Sequence, residues 1–334
     1  VMASEKASFA VINGWERVEY FKPSKDFQPS LSFHFDETFD IVAKEVSNVR
    51  DNVGLCEVNG FNRFEITGLD SERFIDRLFC GNITHKPGRV GLGYLLNDFG
   101  MVKSEATIAN IPASDRGLNR MWYGSAAASE FHDMDWLSQH INPDENVKIK
   151  SLTNDQTTLI VAGPKAREVI SACSREDWSK EAFPWLSVRE CFIGFSAATV
   201  MSVSFSGELA YEVHVPNSSL YAAYLSLSKA GKEYGMTLFG SRAVESMRME
   251  KGFLAWKSDL LTEFDPFETG LDRFVNLNKD NFIGKAGLEK RFKNGPNQKL
   301  VCLSIDCNHA PAHSGASLME DGKVIGTITS GEWG

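Results

Sequence analysis

The chain of 334 residues lacks any apolar run near the roughly 20 residues that span a bilayer, which argues against a membrane helix. It lacks a CxxC pair. Its six cysteines (Cys56, Cys80, Cys173, Cys191, Cys302, Cys307) are scattered and read as reduced thiols of a cytosol-like compartment. It has no GxGxxG after an opening strand: Gly91 and Gly93 lack the third glycine and no helix opens there, so a dinucleotide domain is not expected. A GxSxG elbow, low-complexity tracts and internal repeats of 20–50 residues are also missing. Basic residues are in deficit, 35 Lys+Arg against 44 Asp+Glu, and a net charge of −9 disfavours non-specific nucleic-acid binding. The opening VMASEKASFAV carries Glu5 and Lys6 where a signal peptide needs an apolar stretch.

What is present is the ordinary balance of a globular protein, 43% hydrophobic and 24% charged. At roughly 150 residues per domain the length suggests about two domains. The chain opens on Val, and its closing KVIGTITSGEWG reads as a strand entering a turn, so a fragment of a longer protein is expected. Residues 1–35 read as an extended lead-in. Residues 37–50 have a helical pattern, and 53–67 read as strand, Asn59-Gly60 turn, strand. Asp70 is the expected cap of SERFIDRLF, whose Phe74, Ile75 and Leu78 share a face. Strands are expected at 90–97 and 102–111, around a turn at Asp98–Gly100, and in RMWYG. SAAASEFHDMDWLSQHI reads as a helix with Ser125 near its start. The second half adds a strand at 156–162, a turn at Gly163-Pro164 into the helix KAREVISACS, and a hairpin of 197–205 with 209–215. Helices SSLYAAYLSLSKAGKEYG and GSRAVESMRMEKG follow, and an all-strand stretch starts at 299. The class is α+β.

Candidate chemistry is sparse. Cys302, Cys307, His309 and His313 form the one metal-like cluster. Pro311 between the histidines breaks a helical i, i+4 pair, so a loop without metal is expected. The turn before Lys165 loses an amide donor to Pro164, which weakens a phosphate-loop reading. The strand 209–215 says more. Leu209, Tyr211, Val213 and Val215 share one face; Ala210, Glu212 and His214 share the other. A mid-strand glutamate is costly unless it is exposed or partnered, and a plain salt bridge explains it as well as a site does. Glu105 in VKSEATIA is a second such acid. Whether the two carboxylates converge on a cleft is left open by their spacing.

Longer motifs go further. GWERVEYF (14–21), VGLCEVNGFNRFEITGLDSERFIDRL, LLNDFGMVKSEATIA, SAAASEFHDMDWL, VAGPKAREV, SFSGELAYEVHVP, FGSRAVESMRMEKGFLAW and DPFETGLDRFVNLNKDNFIGKAGL follow one another along nearly the whole chain. In these the chain resembles the folate-binding aminomethyltransferase family, the T-protein of glycine cleavage. It is most similar to the C-terminal folate-binding half of dimethylglycine and sarcosine dehydrogenases. The resemblance implies a three-part clover-leaf around a central channel for tetrahydrofolate, with a C-terminal β-barrel part that is incomplete here. It implies interleaved parts: a junction segment at 1–29, a first α+β part at 30–55 and 146–240, a second at 56–145 and 241–294, and the start of a β domain at 295–334.

The resemblance also implies roles. Glu105 holds the place of the family's catalytic acid, usually aspartate, and its being Glu favours the dehydrogenase branch. Phe205 stands where the family often has Tyr and keeps stacking against the pterin. Glu212 would hold the pterin's N–H donors, and Arg242 the folate's polar end. Leu92 replaces a family tyrosine, with Tyr94 nearby. Ala106, Thr107, Val213, His214 and Arg273 complete the implied folate pocket. The implied reaction captures the one-carbon unit of an oxidised N-methyl amine as methylene-tetrahydrofolate, with Glu105 orienting or accepting the proton lost from the pterin nitrogen. With no flavin motif in the chain, FAD is implied only on a preceding dehydrogenase domain, in cis or in trans. A small-molecule substrate, no nucleic acid, no membrane, and a cytoplasmic location (mitochondrial matrix in a eukaryote) complete the expectation. Two alternatives stand beside it: a non-catalytic folate-binding regulatory module, and a folate-dependent demethylase of another methyl donor such as a sulfonium compound.

Overall fold

The computed structural model describes residues 1–12, 14–30, 32–113, 117 and 120–332. In chain order the elements are β1 (Ala7–Ile12), β2 (Trp15–Phe21), α1 (Glu37–Asp51), β3 (Gly54–Val58), β4 (Phe61–Thr67), α2 (Ser71–Leu78), β5 (Arg89–Leu96), β6 (Val102–Ile111), β7 (Arg120–Ala126) and α3 (Glu130–Gln139). Then come β8 (Lys148–Ser151), β9 (Gln156–Ala162), α4 (Ala166–Cys173), β10 (Val188–Ile193), β11 (Ser196–Met201), β12 (Ala210–Pro216), α5 (Leu220–Gly231), β13 (Thr237–Leu238), α6 (Ser241–Glu250), α7 (Lys285–Asn294), β14 (Ser317–Glu320) and β15 (Lys323–Thr327).

Two sheets organise the molecule. One has six strands in the order β10-β11-β12-β9-β3-β13, the other five in the order β5-β6-β7-β4-β8. The six-stranded sheet buries both faces. Leu55, Val161, Tyr211 and Val213 pack against Val169 and Ile170 of α4 and Ala223 and Leu227 of α5. Cys56, Ala162 and Ala210 pack against Val46 and Val49 of α1 and Ala243 and Met247 of α6. The alternation read from the sequence of β12 is what sends Tyr211 and Val213 one way and Ala210 the other. The five-stranded sheet lays Phe64, Ile66, Ala106, Ile108 and Tyr123 on Phe74, Ile75 and Leu78 of α2 and Leu137 of α3. Its other face meets the first sheet through Val90, Ala109, Trp122, Val188 and Met201. Backbone bonds from Val188 N to Gly88 O and from Val90 N to Leu186 O, both 2.9 Å, tie the two edges.

Several local expectations are corrected. The lead-in forms the antiparallel pair β1–β2. The 53–67 stretch makes both strands but no hairpin: β3 pairs with β9 and β13, while β4 pairs with β7 and β8. Gly60 (φ +87°) turns the chain from one sheet to the other, and Arg17 Nη2 donates to its carbonyl at 3.0 Å. Asp70 does not cap α2 with its side chain; its carboxylate accepts from Asn146 N at 2.8 Å and pairs with Arg73 at 3.0 Å. Ser125 lies in β7, and α3 begins five residues later. The 197–215 hairpin pairs only over Thr199–Met201 with Glu212–His214. After 299 the described residues form one hairpin, β14–β15; the last two residues of KVIGTITSGEWG lie outside them. Strand β8 joins the five-stranded sheet, and Ala243 and Met247 of α6 pack beside α1.

Candidate active site

Between the sheets lies a cavity of about 2500 Å³. Strands β5 and β6 build one wall by their register: Leu92 faces Thr107 and Tyr94 faces Glu105. Strand β12 supplies Glu212 and His214 opposite, the loop before it supplies Phe205, and a helical turn at 272–274 supplies Arg273. All of these line the cavity. Ala106 also borders it, although its side chain turns into the core with Phe64 and Ile108. Two expected residues fall elsewhere. Val213 is fully buried in the core behind β12, because strand alternation points it away from Glu212. Arg242, at the start of α6, does not line the cavity: it donates to Thr38 Oγ1 at 2.8 Å, lies 3.5 Å from Glu19 and covers the Tyr20 ring.

Glu105 has the sharpest electrostatics. Burial pushes its carboxyl up to about 7, and its Oε2 is shut from solvent with no hydrogen-bond partner among the described residues. Tyr94 beside it is held above the ordinary phenol range, by burial first and then by Glu105, against the opposing pull of Arg273. Phe205 is 37% exposed and lies nearly parallel to Phe253, 6.4 Å between centroids. Its ring therefore has surface left for a flat ligand.

The second acid belongs to a network that the sequence did not reveal. Arg63, on β4, is 5% exposed and His214 is 6% exposed. Arg63 Nε donates to His214 Nδ1 at 3.0 Å, and His214 Nε2 lies 3.2 Å from Glu212 Oε2. Burial lowers the Arg63 guanidinium to about 10, opposed by Glu212. Arg248, also missed, lines the cavity from α6 and is held by Asp259 at 2.8 Å, Ser330 Oγ at 2.8 Å and Glu245. In FNRFEIT, Phe64 and Ile66 mark the core face, so an arginine just before Phe64, on the opposite face, was the available signal for Arg63. In the 302–313 stretch Cys302 is exposed, and His313 Nε2 sits 2.9 Å from Phe33 O. Among the described residues no group of three or more His, Cys, Asp or Glu is placed to hold a metal.

Acceptor carboxylates on two walls, one with an unpartnered oxygen, and an accessible aromatic face fit a flat ring that carries N–H donors on its edge, such as a reduced pterin. The family model described as the GCVT N-terminal domain matches residues 1–279. The chain belongs to the GCVT aminomethyltransferase family. Human mitochondrial dimethylglycine dehydrogenase is 32% identical over 331 residues, 98% of this chain and 38% of that protein. The mouse pyruvate dehydrogenase phosphatase regulatory subunit is 28% identical over 330 residues, 95% of this chain and 37% of that protein. The chain thus spans under two-fifths of these curated relatives. Glycine cleavage system aminomethyltransferase T from Bartonella henselae superposes with a TM-score of 0.78 at 18% identity, covering 98% of this chain and 82% of that one. The GCVT chain therefore has the aminomethyltransferase fold. Its family is a folate-binding one, which agrees with the chemistry of the cavity.

Proposed function

We propose that the chain is a tetrahydrofolate-binding one-carbon transferase module, the folate half of an oxidative demethylase of N-methyl amines of the dimethylglycine or sarcosine type. The observation that carries this reading is Glu105: a half-buried carboxylate facing the cavity, poised near neutrality, with its enclosed Oε2 unpartnered among the described residues. Tetrahydrofolate, when bound, supplies a nucleophilic ring nitrogen for the one-carbon unit. Phe205 offers a face to the flat ring, and Glu212 accepts from its N–H edge. Glu105 in its ionised form stabilises the positive charge that develops beside it and takes the proton released. A carboxyl near 7 suits both demands at physiological pH, because it is ionised often enough to accept a proton and basic enough to keep it. The amine would be oxidised by a flavin domain in cis or in trans, in the cytoplasm or, in a eukaryote, the mitochondrial matrix. No helix among the described residues is long and apolar enough to cross a membrane.

Calorimetry tests the binding half. Tetrahydrofolate titrated into the chain should bind, and Glu212→Ala should lose roughly 2–4 kcal/mol through missing charge-assisted bonds. Unchanged affinity in the variant would remove Glu212 from the site. A regulatory, non-catalytic module is the second reading, favoured by the likeness to the phosphatase regulatory subunit. It predicts folate binding with no acceleration of one-carbon condensation.

A further inference from the structure

We infer that His214, braced by Arg63, is a positioning residue that aims the Glu212 carboxylate into the cavity. The three side chains come from β4 and β12, and so from both sheets. Arg63 is anchored on all sides: its guanidinium donates to Thr158 Oγ1 and, more loosely, to Gln156 O at 3.4 Å and Phe61 O at 3.5 Å. Its Nε is thereby left to His214 Nδ1 at 3.0 Å, and an N–H donor there makes Nδ1 the acceptor nitrogen of the ring. Burial holds His214 below its ordinary value, Glu212 pulls the other way, and Arg63 adds to the lowering, so the ring is neutral. A neutral ring that accepts at Nδ1 carries its proton on Nε2. That nitrogen is shut from solvent and makes no well-aligned hydrogen bond as it stands; the one carboxylate within 4 Å of it is Glu212, whose Oε2 lies 3.2 Å away.

Besides Arg63 and Glu212, the contacts of the ring among the described residues are uncharged. Strand β9 presents Thr158, whose Oγ1 is 3.0 Å from Nδ1; β11 presents Thr199 in register; β7 presents the edge of Trp122 at 5.7 Å. Among the described carboxylates, Glu212 is thus the one that a small turn of its side chain would bring onto the Nε2 proton. A glutamate on the wall of so large a cavity would otherwise sample several rotamers. A fixed N–H at its oxygen selects one before the ligand arrives, and less ordering is left to binding. Among the described side chains this contact joins the two sheets at the ligand wall, so the grip of one sheet on Glu212 depends on the placement of the other.

This inference rests on the reading that Glu212 holds the reduced folate, and a double-mutant cycle separates the two. Tetrahydrofolate is titrated calorimetrically into the 334-residue chain and its variants, with circular dichroism melts to confirm folding. His214→Leu should weaken binding about tenfold, whereas adding it to Glu212→Gln should change affinity by less than about twofold, because neighbours that act through each other are not additive. His214→Gln, whose amide N–H can reach where Nε2 was, should stay within about threefold of wild type. His214→Asn keeps an acceptor for Arg63 but cannot reach Glu212; it takes the place of His214→Leu in the cycle if the leucine variant does not fold. The same loss in both backgrounds, or no rescue by glutamine, overturns the positioning role while wild-type binding leaves the folate reading intact. A flat wild-type titration overturns both.

Discussion

A carboxylate held near neutrality by burial alone has two states to use, and at Glu105 the consequence is measurable. With its carboxyl pushed up to about 7, the ionised fraction is small at pH 6 and dominant by pH 8. If the ionised form accepts the proton, methylene-tetrahydrofolate formation rises with pH through that window. Glu105→Gln keeps the shape and removes the charge; the rate should fall by about 10²-fold or more, with little change in folate affinity. The variant should also lose the pH step. Glu105→Asp should be milder, since a shorter carboxylate still supplies charge and basicity. The assay follows condensation of formaldehyde with tetrahydrofolate, corrected for the uncatalysed reaction. A glutamine variant as fast as wild type would leave Glu105 structural and favour the regulatory reading. Legibility at this scale was uneven for a physical reason. Glu105 and Glu212 stood out because a charge in an apolar strand needs an explanation. Arg63 did not, because an arginine alternating with core residues reads as solvent-facing until a second sheet is known to cover that face.

At the scale of elements, many of the helices and strands were legible and their partners were not. Periodicity fixes which residues of β3 and β4 point together, but Asn59-Gly60 supplies a turn without stating whether it is tight. Each strand instead pairs elsewhere, Gly54–Val58 along β9 and Phe61–Ile66 along β7. The attachment of α3 shows the same limit. Asp133 is fully buried, and its Oδ2 accepts from Ser104 Oγ at 3.0 Å, Tyr123 OH at 2.9 Å and Ser125 Oγ at 2.5 Å. It pins the helix to β6 and β7 beside Glu105. Truncation would leave three buried hydroxyls with fewer partners, each costing about 1 kcal/mol or more. Asp133→Ala should therefore destabilise the fold by on the order of 3 kcal/mol, read as a lowered urea midpoint. Tyr123→Phe removes one of the three donors and should cost about a third as much. Equal effects of the two variants would mean that the carboxylate is not shared among the three.

The whole molecule is held by contacts that sequence spacing cannot reach, and Glu45 shows how one such contact sets a pH response. It projects from α1 and accepts from Phe21 N of β2 at 2.8 Å and from Gly240 N, just before α6, at 2.9 Å. Gly240 can approach because it has no side chain: a Cβ there would lie 2.1 Å from Glu19 O. Burial nevertheless outweighs these two bonds and raises the carboxyl from an ordinary 4.5 to about 7. A folded value above the unfolded one means that the protonated form is the stabilising one. Its contribution is complete below about 4.5 and is lost as pH rises through about 7. At 1.36 kcal/mol per unit of displacement, the loss is at most roughly 3 kcal/mol. Glu45→Gln removes the charge, keeps one carbonyl acceptor and sets an amide NH2 against the other of the two backbone donors. It should fall below wild type in urea resistance near pH 4.5, by the lost backbone bond, and decline less steeply from there to pH 8. Glu105→Gln should flatten the same curve by its own share, since burial raises that carboxyl equally far and the two sites share no partner. Stability curves for Glu45→Gln and wild type that run parallel from pH 4.5 to 8 would mean that Glu45 is ionised in the fold at no cost, held by its two backbone donors.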